Sequence, residues 1–477
     1  MSDDFPSGWG QAQFCSVVVN HDGRRRPVKS ADRAKRQGPF PYFGASGVID
    51  HVDGYLFDGS YLLIAEDGAN LLSRSTPIAF QALGKFWVNN HAHIVKPCDG
   101  VSLKYLERFL NSIDLAPFVT GSAQPKLTQK ALDTIPLPIA PTAEQHRIAA
   151  KIDSLFARSS QARDELAHIP RLIERYRQAV LGAAFRGDLT ADWRESHPLG
   201  NPTQHLGKVL SDRRDGWLAA QASSRRRNYP EPEEADWFPD IELPDGWAWA
   251  SVDQLTTEMQ YGTSAKTNED ANGVPVLRMG NIVRGELQVE NLKYLPADHD
   301  EFPALLLQQG DILFNRTNSP ELVGKSAVFR DQLPKASFAS YLIRLKAVGI
   351  IPALLSAYIN SPYGRAWVRS VVSQQVGQAN VNGTKLSHLA VPLIPDDEQI
   401  VLDQRIAQMM AAIDTMEHEM LRATGLIDRL DQSILDKAFT GKLVPQDPAD
   451  EPASKLLERI TAARESAPKT KRGRKQR

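Results

Sequence analysis

Apolar residues recur at alternating steps of four and three along two long stretches of the chain. The first stripe is Ile148, Ile152, Leu155, Ser159, Ala162, Leu166, Ile169, Ile173, Tyr176, Val180 and Ala183. The second is Leu402, Ile406, Met409, Ile413, Met416, Met420, Ala423, Ile427, Leu430 and Ile434. A stripe of that period held for about five heptads predicts the seam of a two-stranded coiled coil. At 1.5 Å per residue each helix would be ~50 Å long. Pro141 and Pro395 precede the stripes, where proline is harmless, and Thr142 and Asp396 suit N-caps. Gly187 and Gly441 stand where C-caps would end the helices. Pro170 falls inside the first stripe and Gly425 at nearly the matching place in the second. Proline removes a helix hydrogen bond and clashes with the preceding turn, so a kink or break is expected there.

Outside the stripes, apolar and polar residues alternate as in half-buried strands, broken by Gly, Asn and Asp turns. YLLIAEDGAN (61–70) and DILFNRTNS (311–319) each predict a strand running into a polar loop. Residues 221–245 have linker composition, with Pro230, Pro232, Pro239 and Pro244 among acids and a basic run Arg225, Arg226 and Arg227.

The two halves are copies of one unit. PIAPTAEQ (138–145) matches PLIPDDEQ (392–399) at an offset of 254, and AAFRGDL (183–189) matches KAFTGKL (437–443) at the same offset. Residues 135–189 and 389–443 align without a gap, with 16 identities in 55 positions. About three would arise by chance from average composition. Shorter echoes keep the same order: FPSGW (5–9) with LPDGW (243–247), GSYLLIA (59–65) with GDILFNR (310–316), FLNS (109–112) with YINS (358–361), and LGKVLSDR (206–213) with SKLLERI (454–460). The expected fold class is α+β: two β-rich domains separated by two long antiparallel coiled-coil helices, with a pseudo-two-fold internal repeat. The expected divisions are 1–140, a β-rich domain; 141–190, a long helix; 191–242, a short helix and linker; 243–394, a second β-rich domain; 395–445, the second long helix; and 446–477, a short helix and a basic disordered tail.

Composition narrows the class. The 477 residues are 42% hydrophobic and 24% charged, which excludes wholesale disorder. Two cysteines, Cys15 and Cys98, make no disulfide framework. The N-terminus, MSDDFPSGWG, does not read as a signal peptide, and the most apolar stretch, 347–359, is short and contains Pro352. A cytoplasmic protein without membrane contact is expected. Net charge is −1, yet residues 469–477 alone carry six Lys/Arg and no acid, leaving −7 elsewhere. A second basic cluster holds Arg24, Arg25, Arg26, Lys29, Arg33, Lys35 and Arg36. Local patches rather than net charge set phosphate affinity.

No catalytic constellation emerges. Gly324, Lys325 and Ser326 resemble the end of a phosphate-binding loop, but Ser319 holds the first glycine's place. FGASG (43–47) has the wrong glycine spacing for an S-adenosylmethionine loop, and no Asn-Pro-Pro-Tyr or Asp-Pro-Pro-Tyr tetrapeptide occurs. PDIE (239–242) and PDDEQ (395–399) lack the lysine of a nuclease metal site. His91 and His93 have no acidic or Cys partner at metal-site spacing and suit a strand pair. No metal or cofactor is expected on this chain. RTNSPELVGKS (316–326) and GQANVNGTK (377–385) suit nucleic acid instead: Arg pairs with guanine, Asn with adenine, Lys or Ser with phosphate. The counterpart of the latter, SAQPKLTQK (122–130), keeps Gln124 and puts Lys126 where Asn380 stands.

These features together resemble the DNA-specificity subunit of type I restriction–modification systems. The stretches that carry the likeness are PYFGASGVID (41–50), YLFDGSYLLIAEDGANL (55–71), VPVLRMGNI (274–282), GDILFNRTNSPELVGKSAVF (310–329) and QANVNGTKLSHLAVPLIPDDEQ (378–399), with both helix ends. Pro170 and the basic tail depart from the pattern. The resemblance implies two target recognition domains, each reading half of a bipartite double-stranded DNA site. It implies a helical ruler that docks two methyltransferase subunits carrying S-adenosylmethionine, and a motor-nuclease subunit that joins them. The candidate DNA-binding residues are Tyr42, Ser46, Gln124 and Lys126 in the first domain. In the second they are Arg278, Asn281, Arg316, Asn318, Ser319, Lys325, Gln378, Asn380 and Asn382. The rival readings are a coiled-coil scaffold whose end domains bind proteins, and a fused methyltransferase or nuclease, against which the missing catalytic motifs argue.

Overall fold

The computed structural model describes residues 5–121, 124–198, 200–220, 228–319, 322–375 and 378–466. The basic run Arg225–Arg227 and the tail from Lys469 to Arg477 lie outside them. The fold is mixed α and β, with two helices of 44 residues, Thr142–Phe185 and Asp396–Phe439. The chain divides into two compact units. Unit 1 comprises residues 1–167 and 421–477; unit 2 comprises residues 168–420. Each unit therefore owns one β-rich region and half of each long helix.

Within each unit the helix halves run antiparallel. In unit 1, Ile148 and Ile152 share a core with Ile434 and Ala438, and Arg163 bonds Asp428 (2.8 Å) and Asp431 (2.7 Å). In unit 2, Ile173 and Val180 cluster with Ile413, and Arg177 bonds Asp414 (3.1 Å). Rising numbers on one helix meet falling numbers on the other. Three expected seam residues, Tyr176, Met416 and Leu430, are instead about half exposed. A 3.5-residue stripe drifts ~20° per heptad around a straight helix, which carries some positions off the contact line.

Both helix starts differ from expectation by one residue. The Pro141 carbonyl accepts from Gln145 N–H and the Pro395 carbonyl from Gln399 N–H, each at 2.9 Å, so the prolines occupy the cap positions. Thr142 Oγ1 donates to the Gly100 carbonyl (2.8 Å), and Asp396 pairs with Lys208 (3.1 Å). The first helix also continues through Pro170 without a break. Ile169 and Ile173 on either side pack against Met409, Met410 and Ile413, which offsets a proline cost of ~3 kcal/mol. Gly187 and Gly441 end the helices in the left-handed region (φ 81° and 72°), as a C-cap glycine does.

The unit 1 sheet contains β1 (Val18–Asn20), β2 (Phe57–Ala65), β3 (Ala79–Val88) and β4 (Ala92–Pro97). Unit 2 contains β5 (Thr256–Tyr261), β6 (Ile312–Asn315), β7 (Ser326–Val328) and β8 (Leu342–Ala347). The neighbour order is β1–β4–β2–β3 in one and β5–β8–β6–β7 in the other, antiparallel throughout. The sheets are one design made twice. Unit 1 extends it with the hairpin Phe40–Gly44/Gly47–Val52; unit 2 adds small separate sheets. In both units a two-stranded ribbon joins the ends of the β-rich region, Gly10–Gln13 with Pro136–Ile139 and Ala248–Ser251 with Ala390–Leu393.

The short repeated motifs assemble into one joint per unit. Trp9 Nε1 donates to Glu144 (3.0 Å), and Trp247 Nε1 to Glu398 (2.8 Å). Phe439 packs edge-on against Tyr105 and Phe109, and Phe185 against Tyr358. Such ring pairs add ~0.5–1.5 kcal/mol beyond burial. A Cβ on Gly441 would lie 2.3 Å from Pro6, and one on Gly187 2.3 Å from Pro244. Gln145 donates to Ala140 O and accepts from Ser102 N–H; Gln399 donates to Ile394 O and accepts from Ile351 N–H. Each joint thus combines the end of one copy's helix with the start of the other's.

Candidate nucleic-acid interface

In each unit the strand β2 or β6 leaves the sheet and enters the same backbone frame. Glu66 N–H donates to His91 O (2.9 Å), and Arg316 N–H to Tyr341 O (3.0 Å). The next bond also matches: Leu127 N–H donates to Glu66 O (2.8 Å), and Val381 N–H to Arg316 O (2.9 Å). Glu66 and Arg316 are therefore equivalent, one residue on from the Ala65–Arg316 match of the sequence echo, as are His91 and Tyr341, and Lys126 and Asn380. The side chains on this common tip differ in kind.

The unit 1 tip is a network of opposite charges. Glu66 pairs with Arg25 (2.6 Å) and Lys126 (3.2 Å), and Asp22 with His93 Nδ1 (2.5 Å). His93, almost wholly buried, also donates from Nε2 to Leu127 O (2.8 Å). Burial alone would lower the His93 pKa, but Asp22 reverses this and holds it above the ordinary histidine value. Burial pulls Asp22 and Glu66 upward; their bonds to His93 and Arg25 outweigh it, and both carboxyls sit below the usual range. His91, half exposed, bonds Asp67 (2.9 Å). The histidine pair thus has acidic partners that sequence spacing hid. Asp22, Glu66 and His93 lie close enough to ligate one cation, but Arg25 and Lys126 already neutralise the carboxylates.

The unit 2 tip is cationic, aromatic and amide-bearing. The Arg316 guanidinium lies 4.9 Å over the Tyr261 ring. Thr317 Oγ1 donates to Asn380 Oδ1 (3.1 Å), and Asn382 Oδ1 caps the helix Gly383–Ser387 by accepting from Lys385 N–H (2.9 Å). Tyr261 and Tyr341 are 43% and 48% exposed, and the Tyr261 ring is the aromatic face against the Arg316 guanidinium.

The structure brings Arg316, Asn380 and Asn382 together in unit 2, and places Lys126 and exposed Gln124 beside the equivalent frame in unit 1. Ser46 is exposed in a hairpin turn. Tyr42 is not on a surface: its ring is fully buried and its Oη accepts from Val28 N–H (2.9 Å). Asn281 is likewise buried, bonding Arg278 N–H and the carbonyls of Gln288 and Glu290. Arg278 donates to Asn291 O (2.6 Å). Tyr42 and Asn281 are thereby spent inside their own loops, while Arg278 remains half-buried. Ser319 anchors a turn through its carbonyl, and Lys325 lines a cleft with Arg330, Arg365 and Arg369. The side chains of Asn318 and Gln378 lie outside the described residues. Tyr261, Tyr341, Glu66 and Asp67 are not among the candidates the sequence offers, because only the pairing of distant segments places them at the tip.

Residues 10–170 match the type I restriction modification DNA specificity domain. The chain is 30% identical over 356 residues to the type I restriction enzyme EcoKI specificity subunit of Escherichia coli (strain K12), covering 72% of this chain and 67% of that one. The chain belongs to the specificity subunits of type I restriction–modification systems. A second such subunit, StySPI of Salmonella potsdam, is 27% identical over 493 residues, with 96% of each chain covered. In fold, this specificity subunit resembles a chain from a solved type I restriction–modification system (TM-score 0.61, 15% identity, 93% of this chain and 100% of that one). It also resembles the HsdS subunit from Thermoanaerobacter tengcongensis (TM-score 0.51, 16% identity, 92% and 98%). Specificity subunits are the non-catalytic, DNA-binding part of their enzymes; their partners are DNA and the remaining subunits of the system. Among the described residues no helix is long and apolar enough to cross a membrane.

Proposed function

We propose that the two β-rich regions are target recognition domains, each reading one half of a split and asymmetric double-stranded DNA site. The observation that carries this reading is one backbone frame built twice with opposite side-chain chemistry, Glu66 in one and Arg316 in the other. Equal frames suit two equivalent grooves; unlike side chains suit unlike base sequences. The long helices, each shared by the two β-rich regions, set the spacing between half-sites.

The helices also dock two methyltransferase subunits. Leu172 and Tyr176 are about half exposed one turn apart, and so are Leu426 and Leu430. These pairs stand 254 residues apart, the repeat offset, so each unit carries the same exposed apolar pair. One partner surface recognising both gives two copies per subunit. Those partners hold S-adenosylmethionine and flip the target adenine, and a motor-nuclease subunit joins them to cut unmodified DNA; the setting is the cytoplasm.

The test is methylome sequencing of a host carrying this chain with its methyltransferase, against a strain lacking this chain. Methyladenine at one split, asymmetric motif should vanish on deletion. An unchanged methylome, or a palindromic motif, overturns the reading and brings forward a scaffold whose end domains bind protein.

A further inference from the structure

We infer that Tyr261 is a positioning residue for base recognition: its ring holds the Arg316 guanidinium as a flat, two-pronged donor for a guanine in the second half-site. The inference rests on unit 2 being a target recognition domain and adds which side chain fixes its reading group.

Arg316 is restrained at its backbone, where its N–H donates to Tyr341 O and its carbonyl accepts from Val381 N–H. Its side chain is restrained by the ring beneath it, 4.9 Å from the guanidinium carbon. That ring is itself pinned at both ends. Tyr261 closes strand β5, and its Oη accepts a 2.7 Å bond from Gly383 N–H. Gly383 is a close approach: a Cβ there would stand 3.1 Å from Tyr261 Oη and 3.1 Å from Met259 Sδ. The ring therefore has one orientation, and the guanidinium stacked on it inherits one plane.

The guanidinium is otherwise little committed. Its one hydrogen bond among the described residues is Nη1 to Ser340 O, at a long 3.4 Å, and no carboxylate pairs with it there. Three other arginines of unit 2 are spent on acids: Arg177 on Asp414, Arg213 on Asp253 and Arg344 on Glu258. A charged fork kept apart from carboxylates among the described residues and supported by a half-exposed aromatic face is set for an external acceptor. Two parallel N–H groups match the O6 and N7 acceptors of guanine in the major groove. At the equivalent place in unit 1, Glu66 is bound to Arg25 and Lys126, so the device exists in one half only.

The experiment uses the methylation complex assembled from this chain and its methyltransferase partners, offered duplexes with every single-base change in the split target. Arg316→Ala is expected to lose about tenfold or more of the discrimination at one guanine of the second half-site. Tyr261→Leu should lose a similar factor at that same guanine, while Tyr261→Phe, which keeps the ring but not its bond to Gly383, should lose less than Tyr261→Leu at that guanine. First-half-site discrimination should stay at the wild-type level in all three, which also reports an intact fold; should Tyr261→Leu fail to assemble, Tyr261→Gln carries the same expectations. The inference falls if loss of the ring relaxes a different position, weakens all duplexes equally as loss of a phosphate contact would, or if the base lost with Arg316→Ala is not guanine. A wild-type complex indifferent to every base of the second half-site would instead overturn the recognition-domain reading.

Discussion

In unit 1 the residue that follows the central strand is Glu66, held by Arg25 and Lys126; in unit 2 it is Arg316, laid over Tyr261. The strands beneath them share one order, and the backbone bonds around them are the same. The joints below the sheets are also alike, with a tryptophan bonded to a buried glutamate at each helix start. Even there the second partner has changed: Gln446 donates to Glu144 (2.6 Å), whereas Arg194 donates to Glu398 (2.5 Å). Burial raises the Glu144 pKa, outweighing the bonds it accepts from Gln446 and Trp9. Repeated parts carry the load of the fold; at the joints and the tip what varies is the side chain, and elsewhere it is the added hairpin of unit 1 and the small sheets of unit 2.

Four outcomes would sharpen or break this comparison. The largest effect is expected at the joints. Trp247→Ala and Trp9→Ala should each cost ~3–5 kcal/mol in denaturant unfolding, because both remove a buried indole and its bond to a carboxylate. A near-neutral result at either would mean the two joints are not equivalent. Next come the exposed pairs. Replacing Leu172 and Tyr176 by Asp, or Leu426 and Leu430 by Asp, should each weaken one methyltransferase contact by about tenfold or more. Native mass spectrometry should then show a complex with one methyltransferase in place of two; unchanged stoichiometry in both variants would discard these pairs as docking sites.

A third, smaller effect separates the units by pH. The His93 pKa is raised in the folded state, so its stabilisation is complete below the ordinary value near 6.5 and fades as pH climbs through the raised value. Asp22 and Glu66 are lowered, so their contributions hold at neutral pH and fade only in acid. The strand position of His93 is Ile343 in unit 2, and no histidine of unit 2 is buried among the described residues. Hydrogen exchange between pH 6 and 9 should show β2 and β4 losing protection beyond the intrinsic pH trend, with β6 and β8 following that trend. His93→Gln should abolish the difference. The smallest effect concerns the tip itself. Lys126 is half exposed against Glu66, so Lys126→Ala should change stability by less than ~1 kcal/mol. A larger loss would make Lys126 a structural member of the unit 1 network rather than a residue available to DNA.

The legibility of the chain in its sequence follows the same line. The long helices were readable because their stripes repeat over many turns, and the copies because sixteen identities keep one offset. Loop residues were far less readable. Tyr42, Asn281 and Arg278 share residue types with the other candidates, yet their polar groups bond within their own loops and core. Nothing local distinguishes an asparagine that caps a turn from one that faces a base. Tyr176, Met416 and Leu430 matched the seam period, but the period cannot say how far around the helix the partner reaches.

What the sequence by itself determined is the repeat, the two helices with their glycine ends, and the alternation that makes the remainder sheet. Those features are local or periodic, and short-range geometry suffices to produce them. Only the tertiary structure decided that Trp9 meets Glu144 and Trp247 meets Glu398, and that Phe439 packs on Tyr105 while Phe185 packs on Tyr358. It also decided that Glu66 and Arg316 occupy one equivalent place. These contacts join segments up to several hundred residues apart, chosen by the shape and charge of surfaces that exist only after the elements have formed; no spacing within either segment encodes them.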